Sequence, residues 1–424
     1  MRALAIALAA FSSLALAQGK EIKIGLIYDY TGPFAAGGSV PAAIGNKIAI
    51  DMINEKGGVE GYKINAVSAD AQSKAEVAIN EATRLLEQEK VDLIMGVYSS
   101  AHCVPMAQKV DAAKKFMWAN VCVASSVFKG KNLTHVFRAQ VHSDQFGAAS
   151  CSFLNENSQK KLGIDPKKLK VAVIYEDGPY GTGVAAGNEE TCKKYGMDVV
   201  LKEGYSATAP DLSSLVTKLR RARPDVILHT GYNPDITLFW RQAKEQGLKW
   251  RAMIGHGAGY GQYDKLKEAF GKEADYIYNV DPVAAQILDP KTLKPGIGAL
   301  TQEMVKRYKA ETKADVVPPH VSMGFNQAWI FFTDVLPRAI KKYGGINPEA
   351  LRKASLDTDI PVGGTIQGYG VKFFPPGTEM SGQNERSSPV VMQYTGGKTQ
   401  IVWPTAIKTA EPVLPIPKSS AYAR

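Results

Sequence analysis

The stretch that decides the fold runs from residue 22 to residue 70. It begins with IKIGLIY (residues 22–28), an apolar-rich run typical of a strand, and TGP (residues 31–33) marks the turn after it. Residues 40–54 carry apolar side chains at a helical period, Gly57-Gly58 ends that helix, and residues 63–70 form the next strand. This order predicts a βαβ unit with a right-handed crossover and a parallel sheet.

The same alternation continues along the chain. Residues 91–97 are a continuous apolar run, as buried parallel strands tend to be. A second series of strands and helices occupies about residues 143–279, and the more helical remainder is expected to pack on both sheets. The predicted fold class is α/β, with two Rossmann-like lobes built on doubly wound parallel sheets. Further predicted helices span residues 73–88, 105–115, 144–155, 183–194, 212–221, 236–246, 296–311, 322–343 and 348–355, and further strands span 116–123, 170–175, 197–205, 225–230 and 251–255.

The first 17 residues predict a cleaved signal peptide. Arg2 precedes an apolar run, and Ala15-Leu16-Ala17 fits the small-x-small rule for cleavage. The cleavage point has no cysteine to carry a lipid, and no later stretch reaches the length of a membrane span. We therefore expect a soluble, exported protein in a Gram-negative periplasm.

Charge and cysteine content exclude some classes of protein. The formal net charge is +10, but the basic residues are scattered among acidic ones and no basic run is interleaved with aromatics, which argues against nucleic-acid binding. The four cysteines form an even set, typical of an oxidising compartment, and allow three disulfide pairings. Their spacing lacks the CxxC pair expected of zinc. They are Cys103, Cys122, Cys151 and Cys192.

The sequence offers no catalytic set. It contains no HExxH pair, no Gly-x-Ser-x-Gly elbow and no credible Ser–His–Asp combination. Residues 178–183 are glycine-rich but do not match GxGxxG, and no acidic residue ends the next strand to hold a ribose. We expect no enzyme activity, no cofactor and no metal.

Candidate binding residues follow the predicted strands, because ligands of doubly wound sheets bind beyond the strands' carboxyl ends. Ser99-Ser100 and the segment 124–126 place hydroxyls and free backbone N–H groups beside a helix N-terminus, a favourable place for a carboxylate. Tyr180 is suited to stack on a ligand. His256 lies among glycines that bring backbone close to whatever binds, and we expect it to contact the ligand.

The chain resembles the periplasmic leucine/isoleucine/valine-binding protein family, the type I solute receptors of branched-chain amino acid ABC transporters. The resemblance covers essentially all of the mature chain. It implies two lobes joined by three crossovers, one from residues 20–142 plus about 280–370 and the other from 143–279 plus about 371–424, which close on a ligand. Its marks are the segments at 22–25, 31–33, 54–59, 99–100, 137–138, 180–181, 231–235 and 247–255, with Gly61, Gly96 and Asp144.

The resemblance also implies which residues contact the ligand. Ser100 matches the hydroxyl that holds the ligand carboxylate, and residues 122–125 match a second carboxylate-binding loop. Tyr180 and Tyr232-Asn233 match aromatic contacts from the far lobe. The full predicted set is Asp29, Phe34, Gly37, Tyr98, Ser99, Ser100, Cys122, Val123, Ala124, Ser125, Tyr180, Tyr232, Asn233, His256 and Gly257.

Two departures from the family pattern bear on the ligand. His256-Gly257 stands where amino-acid binders have Glu-Gly, whose carboxylate pairs with the ligand ammonium, and Gly37 stands where an aromatic residue is frequent. Because a buried ammonium without a carboxylate is costly, we expect an aromatic carboxylate rather than an amino acid. Asp29 or an inward-pointing Asp281 would restore the amino-acid alternative.

Partners and disulfides follow from the same resemblance. It implies a small-molecule carboxylate ligand and an ABC transporter permease in the inner membrane, with a monomeric receptor; sensing for a chemoreceptor or kinase is the alternative role. Cys103 and Cys122 lie at the ends of strands expected to be neighbours, and Cys151 and Cys192 on helices of the second lobe. The preferred pairing is therefore Cys103–Cys122 and Cys151–Cys192.

Overall fold

A computed structural model describes residues 20–424. The predicted signal peptide lies outside the described residues. Two sheets dominate, and they confirm the predicted α/β fold with two lobes. Within residues 20–424, no helix is long and apolar enough to cross a bilayer.

The first sheet has five parallel strands in the order β2-β1-β3-β4-β5. Helices pack on both of its faces, and most of its strand residues are buried, as expected for a parallel sheet. The strands are β1 (Glu21–Tyr28), β2 (Lys63–Asp70), β3 (Leu93–Gly96), β4 (Phe116–Ala119) and β5 (Val136–Phe137), and the early helices are α1 (Val40–Glu55), α2 (Ala75–Glu87) and α3 (Ser100–Ala112).

The second sheet has seven strands in the order β12-β11-β10-β9-β8-β6-β7. Strands β6 to β10 are parallel, and β11 joins them antiparallel to β10, with Gln393 opposite Tyr278. The strands are β6 (Lys170–Glu176), β7 (Asp198–Tyr205), β8 (Val226–Thr230), β9 (Ala252–His256), β10 (Tyr278–Asp281), β11 (Val390–Thr395) and β12 (Lys398–Trp403), and the helices between β5 and β10 are α4 (Ser143–Asn157), α5 (Pro179–Lys194), α6 (Ser213–Ala222), α7 (Asn233–Glu245) and α8 (Tyr263–Phe270).

The remaining helices pack largely on the first sheet. They share a buried core with β1 and α1 and are α9 (Ile297–Thr312), α10 (Pro319–Ile330), α11 (Leu336–Tyr343) and α12 (Pro348–Leu356). Helices α1 and α10 approach closely because Gly45 and Gly324 face each other's backbone: a Cβ on either would overlap a carbonyl oxygen of the partner helix. The predicted lobe boundaries stay a prediction, and β10, which runs to Asp281 in the second sheet, crosses the boundary predicted near residue 280.

Four helices begin at least three residues earlier than the sequence predicted. Helix α3 begins at Ser100 instead of residue 105, α5 at Pro179 instead of 183, α7 at Asn233 instead of 236, and α10 at Pro319 instead of 322. Pro105 looked like a helix start, but it lies inside α3. The glycine- and proline-rich starts of α5 and α7 looked like loop, although proline fits a first helical turn. Residues expected on loops are therefore in, or directly before, first helical turns.

Candidate ligand-binding site

A small cavity lies between the two lobes, at the carboxyl ends of the strands. Its volume is about 30 Å³, and both lobes contribute to its walls. Because each lobe supplies only part of the lining, a molecule in this cavity contacts all of its partners only when the lobes are closed. The lining residues are Tyr98, Ser100, Val121, Val123, Phe146, Tyr180, Tyr232, Ala258, Asp281, His320 and Met323.

One end of the cavity, around Ser100, has the features of an anion site. Ser100 is in the first turn of α3, whose N-cap residue Ser99 forms no side-chain capping bond. The Ser100 Oγ accepts hydrogen bonds from the backbone N–H groups of Val123 (3.2 Å) and Ala124 (3.1 Å). Both lone pairs are then occupied, which leaves the hydroxyl proton to donate toward the cavity. The N–H groups in the first turn of α3 have no partner within the helix, and they lie at the positive end of the helix dipole. Together with the Ser100 hydroxyl they suit a carboxylate.

Ser100→Ala is therefore expected to weaken binding of a carboxylate ligand about 10- to 150-fold, since hydrogen bonds to charged groups contribute about 1.5–3 kcal/mol. Isothermal titration calorimetry measures the change. Ser125→Ala is the matched control, because the Ser125 hydroxyl bonds to Ser143 and Asp144 and does not line the cavity. Equal losses in the two variants would contradict the role of Ser100.

Aromatic rings form much of the wall. Tyr232, the N-cap residue of α7, packs against Tyr180 with ring centroids 5.5 Å apart and against Tyr98 at 6.2 Å. Phe34, from the opposite lobe, lies 4.4 Å from Tyr232 and borders the cavity from outside its lining. Burial raises the pKa of Tyr98, Tyr180 and Tyr232, so these hydroxyls stay neutral.

Asp281, at the end of β10, brings a carboxyl group to the other part of the cavity. Its side chain is fully buried, and its Oδ1 has no hydrogen-bond partner among the described residues. Asn279 Nδ2 donates weakly to Oδ2 at 3.4 Å. Burial raises the pKa of Asp281 well above its usual range. The titratable groups around it, all kept neutral by burial, are Tyr98, Tyr180, Tyr394 and His320.

His320, from α10, supplies a neutral donor. Gln262 Nε2 lies 2.8 Å from His320 Nδ1, and since an amide nitrogen only donates, the imidazole proton is on Nε2. Burial lowers the pKa of His320 to about 4. A neutral imidazole N–H and a carboxyl group thus line the same cavity.

His256 does not contact the cavity through its side chain, contrary to expectation. The fully buried imidazole points into the second lobe, with Nδ1 2.9 Å from Thr230 Oγ1 and Nε2 3.2 Å from Ser150 Oγ. Burial lowers its pKa to about 3. Successive side chains of a strand face opposite sides, and at the end of β9 this register turns the ring away from the cleft. Only the backbone oxygen of His256 touches a wall residue, by accepting a bond from the Tyr180 hydroxyl.

The other predicted residues divide into lining, bordering and supporting positions. Tyr98, Ser100, Val123, Tyr180 and Tyr232 line the cavity. Around them, a Cβ on Gly37 would lie 3.5 Å from Asn233, across the cleft, and one on Gly257 would lie 3.4 Å from Asp281 Oδ1. Asp29 accepts from the Ser73 N–H and does not line the cavity. Four predicted residues belong to the start of α3 or to the loop that carries Val123 but do not line the cavity: Ser99, Cys122, Ala124 and Ser125.

Several wall residues were not predicted from the sequence. Asp281 was considered only as an alternative, and Val121 lies one residue before the predicted loop. Phe146 lies on α4 and carries no local signal, and Ala258 directly follows the predicted residue Gly257. His320 and Met323 carry no local signal either, because α10 reaches the cleft only through tertiary packing. No group of three or more His, Cys, Asp or Glu side chains within residues 20–424 is arranged to hold a metal ion.

Two disulfides lie near these elements. The structure joins Cys103 to Cys122, with Cα atoms 6.3 Å apart, and Cys151 to Cys192, with Cα atoms 5.1 Å apart. These are the pairs that the sequence analysis preferred. The first ties α3 to the loop that carries Val123, so it braces the anion end of the cavity.

Known proteins share this sequence and architecture. The profile of the family described as periplasmic binding protein matches residues 21–379. Leu/Ile/Val-binding protein homolog 7 of Brucella abortus is 34% identical over 413 residues, covering 97% of this chain and 98% of the relative. A leucine-binding protein from Thermotoga maritima superposes with a TM-score of 0.73 at 22% identity over 90% of this chain and 97% of its own. An ABC transporter solute-binding protein from Rhodopseudomonas palustris, solved with 4-hydroxybenzoate, gives 0.72 at 18% identity over 93% of this chain and 98% of its own.

Proposed function

The chain belongs to the periplasmic binding protein family, whose members bind solutes for ABC transporters, and from this premise we propose that its solute is a small carboxylic acid with a second polar group. The observation that carries the proposal is the pairing, in one cavity, of the Ser100 end with Asp281 Oδ1, which has no hydrogen-bond partner among residues 20–424. The acid is delivered to a permease in the inner membrane.

Capture follows from the division of the walls between the lobes. Ser100, Val121 and Val123 come from the first lobe, whereas Tyr180 and Asp281 come from the second. A ligand that touches both sets gains its contacts only in the closed form, so it shifts the population toward closure. The permease then recognises the closed receptor.

An amino acid is the first candidate class. His256 stands where amino-acid binders have a carboxylate, but Asp281 supplies a carboxylate from the neighbouring strand. An ionised, unpaired carboxylate in a buried cavity is costly, and a ligand ammonium removes that cost. The carboxylate end of the amino acid then binds at Ser100 and the α3 N-terminus.

A hydroxyl-substituted aromatic acid is the second candidate class. The four rings of Tyr98, Phe146, Tyr180 and Tyr232 favour it, since aromatic rings pack well on one another. In this case Asp281 stays neutral, and it exchanges hydrogen bonds with the ligand hydroxyl. His320 Nε2 offers a second donor.

A ligand panel on protein refolded free of carried-over solute tests the proposal. We expect branched-chain amino acids to raise the melting temperature, since a ligand at 100 times its Kd adds about 2.7 kcal/mol. Benzoates, cinnamates and hydroxybenzoates form the second arm, and the matching amides and amines without a carboxylate are the controls. Stabilisation by the amides alone, or by none of the acids, would refute a carboxylate receptor.

The pH dependence of affinity separates the two classes. An ammonium beside Asp281 lowers its raised pKa, so an amino acid releases a proton on binding and binds more tightly as the pH rises. An aromatic acid requires the neutral carboxyl, so it binds less tightly as the pH rises. Calorimetry in buffers of different ionisation enthalpy measures the proton release directly, and the sign of the slope assigns the class.

A further inference from the structure

Arg138 is a buried cation directly behind the anion end of the cavity. It follows β5, where the chain leaves the first lobe, and its side chain is fully buried. Its Nη1 donates to the backbone oxygens of Cys122 (2.9 Å) and Ala124 (3.0 Å), and its Nε donates to Gln383 Oε1 (2.7 Å). The guanidinium thus holds the loop that carries Val123.

A chain of hydrogen bonds runs from this guanidinium to the cavity. The Cys122 carbonyl belongs to the same peptide unit as the Val123 N–H, and the two groups point in opposite directions. The N–H donates to Ser100 Oγ at 3.2 Å, and the Ser100 hydroxyl lines the cavity. Because hydrogen bonds in a chain polarise one another, a positive charge at the carbonyl strengthens the Ser100 hydroxyl as a donor.

The charge of Arg138 is not cancelled by a salt bridge. No carboxylate lies within ion-pair distance among the described residues, and Asp144 acts on it only at longer range. The guanidinium carbon lies 5.1 Å from the centre of the Phe128 ring, and Nη2 has no hydrogen-bond partner among residues 20–424. Burial lowers the pKa of Arg138 to about 9, which leaves it a cation at neutral pH.

Arg138 is also fixed from the side of the crossovers. Its backbone N–H donates to Gly382 and its carbonyl accepts from Asn384, while Gln383 Nε2 donates to the Gln140 carbonyl. Two interlobe segments, around residues 138–140 and 382–384, therefore hold the guanidinium in place. The carboxylate-binding loop takes its position from the hinge region through this one side chain.

We propose that Arg138 is a positioning residue for the carboxylate site, whose buried charge makes the site select anionic ligands over their neutral amides. This inference rests on the proposed capture of a carboxylic acid. It assigns the selection to a residue that touches no ligand, acting through the peptide of Val123 and the hydroxyl of Ser100.

Paired ligands test the selection. Kd values are measured for L-leucine against L-leucinamide and for 4-hydroxybenzoate against 4-hydroxybenzamide. We expect Arg138→Met to weaken acid binding about 10- to 100-fold and amide binding less than about threefold, with Arg138→Lys intermediate because it keeps the charge. Equal losses for acid and amide would overturn the proposal.

Arg338→Met is the matched control. Arg338 is partly buried, donates through Nη1 to the Ala354 carbonyl and lies on α11, away from the cavity. It should lower stability without changing the ratio of acid to amide affinity. If Arg138→Met does not fold, Arg138→Lys and Gln383→Met provide the comparison. Gln383→Met removes the acceptor of Arg138 Nε and also the bond to the Gln140 carbonyl, but it leaves both bonds of Nη1 in place.

A measurement without ligand separates this inference from the proposed function. Hydrogen exchange of the Val123 and Ala124 amides should be faster in Arg138→Met than in the wild type, and unchanged in Arg338→Met. If the wild type binds none of the four probes, the proposed ligand classes fail while the exchange data still decide the positioning role. Unchanged exchange at Val123 and Ala124 would refute that role.

Discussion

Replacing Asp281 with asparagine is expected to weaken binding of an amino acid by about 3 kcal/mol, roughly 150-fold. The substitution keeps the size and shape of the side chain, but removes the charge that an ammonium requires. Calorimetry at pH 7 gives the change in Kd. The same substitution should change binding of an aromatic acid little, because that ligand class meets a neutral carboxyl.

The empty protein should respond in the opposite direction. Since the pKa of Asp281 is raised in the folded protein, its ionisation opposes folding, and stability is lost as the pH rises above the unfolded value of about 4. Asp281→Asn removes this term, so the melting temperature without ligand should rise, and more so at high pH. Lower affinity together with higher stability is the signature of a site residue.

Asp29→Asn is the control for Asp281→Asn. Burial also raises the pKa of Asp29, to about 6, yet its carboxylate accepts from the Ser73 N–H and does not line the cavity. We expect no loss of affinity from Asp29→Asn. A large loss there, with none in Asp281→Asn, would show that the ligand lies elsewhere in the cleft.

Gly324→Ala is expected to destabilise the protein by about 3 kcal/mol, at the upper end of the cost of overpacking. The added Cβ would overlap the Ala42 carbonyl oxygen, and backbone cannot move aside as a flexible side chain can. Gly45→Ala should act similarly from α1, against the Val321 carbonyl. Denaturant unfolding measures the free energy of each variant.

The contact between α1 and α10 also affects binding, because α10 carries His320 and Met323 into the cavity. Gly324→Ala should therefore weaken ligand binding as well as stability. Gly298→Ala, in α9, is the control: its Cβ would lie 3.2 Å from the Pro290 Cβ, and we expect a change within about 1 kcal/mol. Equal destabilisation by the two substitutions would contradict the close approach of α1 and α10.

The sequence predicted the parts of the site that depend on local order. Alternating strands and helices place Ser100, Val123, Tyr180 and Tyr232 at strand ends, and all four line the cavity. The prediction that His256 contacts the ligand was wrong, because neighbouring glycines indicate where the backbone approaches a ligand. They do not indicate to which side of the strand a side chain points. Met323 could not be predicted from the sequence, since only the packing of α10 on α1 brings it to the cleft.

Strand β10 shows the same limit. It has four residues and no clear alternation, so no sequence pattern predicted a strand there. Its pairing with β9 and with β11, far along the chain, makes it a strand and directs Asp281 into the cavity. The residue on which the ligand class depends is therefore placed by a contact between distant segments.

The pairing of β10 with β11 has a consequence for the order of folding. The first 380 residues contain the helices of the first lobe, but the second sheet also needs β11 and β12, from residues 390–403. Until β11 pairs, β10 presents an open edge, which is prone to pair with other chains. Contacts over more than 100 residues also form slowly. The second lobe is therefore expected to finish folding after the first, and the unpaired edge of β10 is where the unfinished chain is most prone to aggregate.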